Sequence, residues 1–445
     1  MLLSFHAKNY RSFRDSLDFS MTPAAKQKGL DYSILSEKIG TRDCKALSSA
    51  VIYGPNASGK TNIIGAMDTM RSIVLRGNIE NSESVSTPNA ASCKLELIPF
   101  SQNEEPSPVE FSVRFTDSGK LFEYSFSMNI GGFMDKDYKR KLVFEQLKVN
   151  DKEIYTRTDS LEFGSLTGIR QQLNNPASGN ISALHEIAEN SLNPTELFLT
   201  NGFKTIFSKN LVSTITGWFS DKFMVVYRAD SVQLMHRFAD PKEKTVYIEK
   251  TLNEAAEAFG ISSNALGFMN SKDENESELY SIFDRKDGGM AIPAELFESY
   301  GTIRFVNEFP LVIRALLTGA VLVVDEFDAS IHPMALMNII NIFHNDDINK
   351  NHAQLIFNTH NPIFLNSNLY RRDEIKFVER DEKTHASIHY ALSDFKTYGK
   401  SGVRKGEDYM RNYFVSQYGA IKDVDFSGIL EKLIDGKSAG GDDNG

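Results

Sequence analysis

Apolar and polar residues alternate along one part of the chain and run together in another. Lys94–Ile98, Val109–Phe115, Leu121–Ile130, Leu142–Val149 and Glu153–Arg157 alternate with turn residues between them, which predicts an antiparallel sheet with one buried face. Leu2–Lys8 and Ser16–Met21 read as two shorter strands joined by Asn9-Tyr10-Arg11-Ser12-Phe13-Arg14. Ala50–Tyr53, Leu322–Val324 and Leu355–Phe357 are uninterrupted apolar runs, the pattern of parallel strands covered on both faces. Helices are predicted over Thr61–Leu75 and Thr302–Leu317. From about residue 166 to 260 the apolar spacing is three and four (Leu184, Ile187 and Ala188; Leu197, Phe198 and Phe203; Ile248, Leu252, Ala255 and Ala256), which predicts packed helices without the heptads of a long coiled coil. Polar residues 76–93 and acidic Asp273–Glu278 read as loops.

These patterns predict an α/β chain whose main unit, a mixed sheet flanked by helices, is split in two. Residues 1–93 and 276–435 supply its halves, 94–160 an antiparallel β lobe, 161–275 a helical insertion and 436–445 a disordered tail.

Composition narrows the class. With 445 residues, 41% hydrophobic and 24% charged, the chain is long enough for a substantial core. Its longest apolar stretch, Leu311–Val324, is broken by Arg314 and Thr318 and is too short to span a bilayer. The first residues lack the apolar core of a signal peptide, so the expected place is the cytoplasm, with no membrane partner. Cys44 and Cys93 have no metal-ligand spacing and fit a reducing compartment. A net charge of −10 argues against a surface that binds nucleic acid everywhere. Two short basic clusters remain as candidate DNA contacts, Lys136, Lys139, Arg140 and Lys141, and Arg371, Arg372 and Lys376, although such runs are usually solvated faces.

The chemistry concentrates between the run ending at Tyr53 and the helix that follows. Gly54-Pro55-Asn56-Ala57-Ser58-Gly59-Lys60-Thr61 has the form GxxxxGK[ST], with Asn62 continuing into the helix. Glycines let the backbone curl so that N–H groups face phosphate oxygens, and the helix start adds its positive end. Lys60 is expected to reach the terminal phosphates of a nucleotide, and Thr61 to ligate Mg²⁺. Asp325 and Glu326 end the run Val321–Val324, at the strand edge where open α/β sheets place ligands. In that position Asp325 would hold the metal or its water, and Glu326 would polarise an attacking water. Asp325 follows Thr61 by 264 positions, so a large insertion separates the two halves of the site.

With these residues in this order, the chain resembles the ABC-type P-loop ATPases of the SMC and recombination-repair class, whose nucleotide-binding head is split around an inserted arm. Glu298-Ser299-Tyr300-Gly301-Thr302 resembles the signature loop: Ser299 and Gly301 match, while Tyr300 and Thr302 depart from it. Asp328-Ala329-Ser330-Ile331-His332-Pro333 looks like the D-loop, and Thr359-His360-Asn361 like the segment of the switch histidine. The glutamine loop, a metal contact, has only Gln102 as a candidate, and Arg11 occupies the N-terminal turn where related ATPases carry basic residues near the nucleotide. The opening Phe5–Phe13 and the late Tyr418-Gly419-Ala420-Ile421 resemble, more narrowly, small stand-alone AAA/ABC-type ATP-binding proteins of bacterial antiphage and restriction-associated loci.

The resemblance implies ATP and Mg²⁺ as ligands and Glu326 and His360 as catalytic groups. It also implies a homodimer, or a higher oligomer built on it, in which Ser299, Gly301 and Asp328 of one chain close the site of the other. A nuclease or other effector encoded nearby would be the partner, and DNA or a phage-derived molecule the trigger. The alternative it implies is a DNA-repair ATPase that clamps DNA. A transporter subunit fits poorly, because its two nucleotide motifs lie much closer together.

Overall fold

A computed structural model of the chain describes residues 1–25, 27, 29–80, 97–133, 135, 138–174, 181–227, 254, 265–270, 277–283, 290–329, 331–396, 403–404, 406–422, 426–428 and 430–431. In chain order its strands are β1 (Leu2–Lys8), β2 (Leu17–Ser20), β3 (Ile34–Ile39), β4 (Arg42–Leu47), β5 (Ser49–Tyr53), β6 (Val109–Asp117), β7 (Lys120–Asn129), β8 (Lys141–Val149) and β9 (Lys152–Arg157). They continue with β10 (Leu161–Phe163), β11 (Phe223–Val226), β12 (Ala265–Asn270), β13 (Ser277–Phe283), β14 (Met290–Pro293), β15 (Val321–Val324), β16 (Gln354–Asn358), β17 (Ile375–Arg380) and β18 (Ser387–Ala391).

Two large sheets organise the molecule. One is antiparallel, in the order β10-β9-β8-β7-β6-β1-β2. The other, β11-β15-β16-β5-β17-β18, is parallel apart from its last strand. Period-two alternation explains the first: Val109, Phe111, Val113 and Phe115 of β6, with Phe122, Tyr124, Phe126 and Met128 of β7, turn inward together. In the second sheet both faces are covered, and successive residues go to different cores. Ala50, Ile52, Val321 and Val323 pack with the helix Lys60–Arg76 and the antiparallel sheet, whereas Val51, Tyr53, Leu322 and Val324 pack with the helices Tyr300–Thr318 and Pro333–Phe343. An aromatic segment fills the first core, where Trp218 stacks on Phe115 at 3.9 Å between ring centres.

Several segments differ from the reading of the sequence. The alternating strands of 94–160 form one sheet with β1 and β2, since β6 pairs with β1 from Leu2↔Phe115 to Lys8↔Glu110; strand partners far apart in sequence leave no local trace. Within the stretch assigned to a helical insertion, residues 166–172 and 181–190 and the turns from Leu199 to Lys222 are helical, but Phe223–Val226 is a strand beside β15. Four apolar residues in a row fit a buried strand and a buried helix equally well. β12 and β13 lie in that stretch or at its edge, and Glu278, read as loop, belongs to β13. The polar region before β5 holds the hairpin β3–β4, and Leu97 and Ile98 are not in a strand. Residues 81–93, Ile248 to Leu252, Ala255 and Ala256, and the tail 436–445 lie outside the described residues.

The N-terminal strand is tied to the parallel sheet by one buried side chain. Gln354 of β16 accepts from the Leu2 N–H at 2.5 Å and donates to the carbonyls of Leu2 at 3.0 Å and Leu47 at 2.8 Å. Three backbone groups away from water depend on it, and each loses its partner if the amide is removed. Gln354→Leu is expected to lower stability by about 3 kcal/mol and the melting temperature by roughly 5 °C or more, measured by circular dichroism.

Candidate nucleotide site

The phosphate loop leaves β5 at Tyr53 and enters the helix at Lys60. Both fixed glycines are needed for shape. A Cβ at Gly54 would lie 2.3 Å from the Val378 carbonyl oxygen, and Gly59 has a φ of +113° with the Ser387 and Ser12 hydroxyls 2.5 and 2.7 Å from where a Cβ would be. No side chain caps the helix behind Gly59, so its positive end is left to a ligand. Lys60 is buried and its Nζ donates to the loop's own carbonyls, Gly54 at 2.7 Å and Pro55 at 3.1 Å. Burial lowers its pKa to about 8 against the opposing pull of Glu326, Asp325 and Asp328.

From the other half of the sequence, β15 delivers Asp325 and Glu326. The Thr61 hydroxyl donates to Asp325 Oδ1 at 3.1 Å, so residues 264 positions apart meet in one hydrogen bond. Asn358, at the end of β16, orders this corner: its amide nitrogen donates to Asp325 Oδ1 at 2.6 Å, and its oxygen accepts the Glu326 N–H. Arg304, buried in the helix Tyr300–Thr318, donates to the carbonyls of Asp325 at 3.3 Å and Glu326 at 2.5 Å, and to the Glu308 carboxylate at 3.0 Å. These contacts hold Glu326 at a φ of 52°, a left-handed conformation uncommon for a side chain of this kind, with its carboxylate exposed. Asp328 accepts from the Thr359 hydroxyl at 2.6 Å, and burial raises its pKa. His360 stands exposed beyond β16; partial burial and then the Lys60 ammonium push its pKa down, favouring the neutral ring.

A cavity of about 460 Å³ joins these parts. The loop from Asn56 to Asn62, Glu326 and His360 line it, together with Arg11, Ser12, Ile98–Ser101, Phe133 and Arg380. Of the residues expected at the site, Arg11 is therefore brought in, while Gln102 lies exposed just beyond the wall and is not among the lining residues. Ser299 and Gly301 are also outside it. Ser299 is the N-cap of its helix, its hydroxyl accepting from the Thr302 N–H at 3.1 Å. Asp328 sits behind the cavity, against Thr359.

Asn358, Arg304, Ser12 and Ser387 were not singled out from the sequence, because their roles come from partners distant in the chain. Ser387 donates to the Ser58 carbonyl and shares a hydrogen bond with the Ser12 hydroxyl at 2.7 Å, which also accepts from Asn62 at 2.7 Å. One basic cluster is corrected. Arg371, Arg372 and Lys376 are buried; Arg371 pairs with Asp373 at 3.0 Å, and Arg372 donates to the carbonyls of Leu392 and Phe395. They serve the interior and cannot present a DNA-binding face. In the other cluster Lys139 and Lys141 are exposed, and Lys136 lies outside the described residues, as does Cys93.

The residues present suit a magnesium nucleotide. Among the described residues no group of three or more His, Cys, Asp or Glu could hold a metal. Mg²⁺ needs no such cage, taking one or two protein oxygens with phosphates and waters, and the Thr61 hydroxyl and Asp325 carboxylate supply that pair. Among the described residues no helix is long and apolar enough to cross a membrane.

A family model described as "AAA domain, putative AbiEii toxin, Type IV TA system" matches residues 49–196 and 200–366. No curated protein matches the chain. Among solved structures, the SMC head domain from Thermotoga maritima is 13% identical, with 88% of this chain and 98% of that one covered at a TM-score of 0.36. An SMC head bound to the C-winged helix domain of ScpA is 12% identical, with the same coverage and TM-score. The two segments matched by the family model contain the phosphate loop, the Asp325–Glu326 pair and His360 and make up most of the chain, which therefore belongs to this AAA-domain family.

Proposed function

We propose that the protein is an ATPase that binds Mg-ATP between the phosphate loop and the Asp325–Glu326 corner and hydrolyses it slowly as a molecular switch. The observation that carries this reading is the 3.1 Å hydrogen bond from Thr61 to Asp325, which sets a hydroxyl and a carboxylate fit for Mg²⁺ side by side from positions 264 apart in the sequence. When bound, Mg²⁺ would neutralise developing phosphate charge. Glu326 reaches the cavity as a general base for water, and neutral His360 can donate a hydrogen bond to the terminal phosphate. Arg304 and Asn358 keep the Glu326 backbone in place while this happens.

The switch works as a homodimer. Ser299 and Gly301 lie outside their own cavity, at the uncapped-by-charge start of a 19-residue helix, where the positive end of that helix can meet the nucleotide of a second copy. ATP then joins two chains, and loss of the terminal phosphate releases them. The output is control of a separate nuclease or effector in antiphage defence. Support for a paired partner comes from the family description, whose toxin–antitoxin wording denotes systems of two components. A DNA-clamping repair ATPase is the second reading, and it loses ground because Arg371, Arg372 and Lys376 are interior.

Glu326→Gln is expected to keep ATP affinity within about threefold while lowering kcat by roughly 100-fold or more, measured by phosphate release and calorimetric titration. Lys60→Ala should abolish binding itself, and wild-type protein that fails to bind Mg-ATP would defeat the proposal. Ser299→Arg is expected to leave nucleotide binding intact and to remove an ATP-dependent dimer trapped by Glu326→Gln. Light scattering after gel filtration reads this, and a dimer that persists would exclude Ser299 from the interface. Co-purification with the products of neighbouring genes, followed by a nuclease assay, tests the partner.

A further inference from the structure

The parallel sheet places β5 between β16 and β17, so the phosphate loop has the ends of β15 and β16 on one side and the end of β17 on the other. Glu326 and His360 follow β15 and β16. Arg380 is the last residue of β17 and lines the same cavity from the opposite side. The strand register fixes its direction. Arg380 pairs with Ser387 of β18, and directly opposed residues of an antiparallel pair project from the same face. Ser387 turns to the phosphate loop, where its hydroxyl donates to the Ser58 carbonyl. Arg380 therefore leaves the strand on the loop side.

Its guanidinium is already half placed. Nε donates to the His385 carbonyl at 2.8 Å across the short turn, and among the described residues its two terminal nitrogens have no protein partner. The one carboxylate lining the cavity among the described residues is Glu326, which belongs to the far wall. Among the described residues that line the near wall, none carries a carboxylate to neutralise Arg380. A planar cation so held offers two donors to a phosphate and a flat face to a base, and the exposed ring of Phe133 lines the cavity with it.

A nucleotide whose reacting phosphate lies with Glu326 and His360 has room to extend its other end across the cavity towards Arg380 at the end of β17. We infer that Arg380 holds this non-reacting end, the α-phosphate and nucleoside, and so contributes to binding ATP and ADP alike without touching the chemistry. The inference rests on the proposed ATP site and adds to it a binding residue from the opposite side of the sheet.

Calorimetric titration of wild type, Arg380→Ala and Arg380→Lys with ATP and with ADP in the presence of Mg²⁺ tests it. Arg380→Ala is expected to weaken both ligands to the same extent, by about tenfold or more, with kcat at saturating ATP within about twofold of wild type and Arg380→Lys intermediate. Because Arg380 is exposed, the nucleotide-free variant should melt with wild type, which separates a lost ligand contact from a damaged fold. Unchanged affinities in a protein whose wild type binds ATP would overturn this assignment and leave the proposed function standing. A loss confined to ATP would also overturn it, since Arg380 would then serve the reacting end. Failure of the wild type to bind either nucleotide would remove both readings.

Discussion

Parallel pairing of β5, β16 and β15 is the constraint on which the site depends. Leu355 to Asn358 lie in register with Ser49 to Ile52 on one side and, up to Phe357, with Leu322 to Val324 on the other. All three strands therefore end at one edge, and each releases its chemistry there: the phosphate loop, then Asn358 and His360, then Asp325 and Glu326. The Thr61–Asp325 contact follows from that register. A shift by one residue would reverse which side chains enter which core, and with Ala50 and Ile52 on one side and Val51 and Tyr53 on the other, both cores resist it.

The cost of the arrangement is concentrated at the edge. Lys60 is buried beside loop carbonyls with its pKa lowered, Glu326 adopts a left-handed backbone, and Gly54 and Gly59 leave no room for a side chain. Each feature opposes folding on its own, and each prepares a contact with an anionic ligand. The remaining structure supplies the compensation, through two covered faces of the sheet and through side chains that satisfy backbone groups, such as Gln354 and Asn358.

What could be read from the sequence follows from the range of the forces involved. β6 to β9 alternate over most of their length, and Ala50–Tyr53, Val321–Val324 and Leu355–Phe357 are unbroken apolar runs, so local pattern alone marked them. The loop and the Asp325–Glu326 pair were legible because tight turns and metal ligation demand particular residues in order. β11 was hidden because Phe223–Val226 is a four-residue apolar run, too short to be told from a buried helical segment by pattern. Arg371 and Arg372 looked like a surface cluster because nothing local shows that Asp373 and distant carbonyls would enclose them. Ser299 caps its own helix, a role any serine before a helix can fill, so its local sequence does not single it out.

The contact between Ser12 and Ser387 spans 375 positions, and through Ser58 and Asn62 it braces the phosphate loop from behind. A polypeptide emerging from the ribosome displays the loop early but cannot brace it until Ser387 has been made. A product terminated before β18 would carry the motif without this brace.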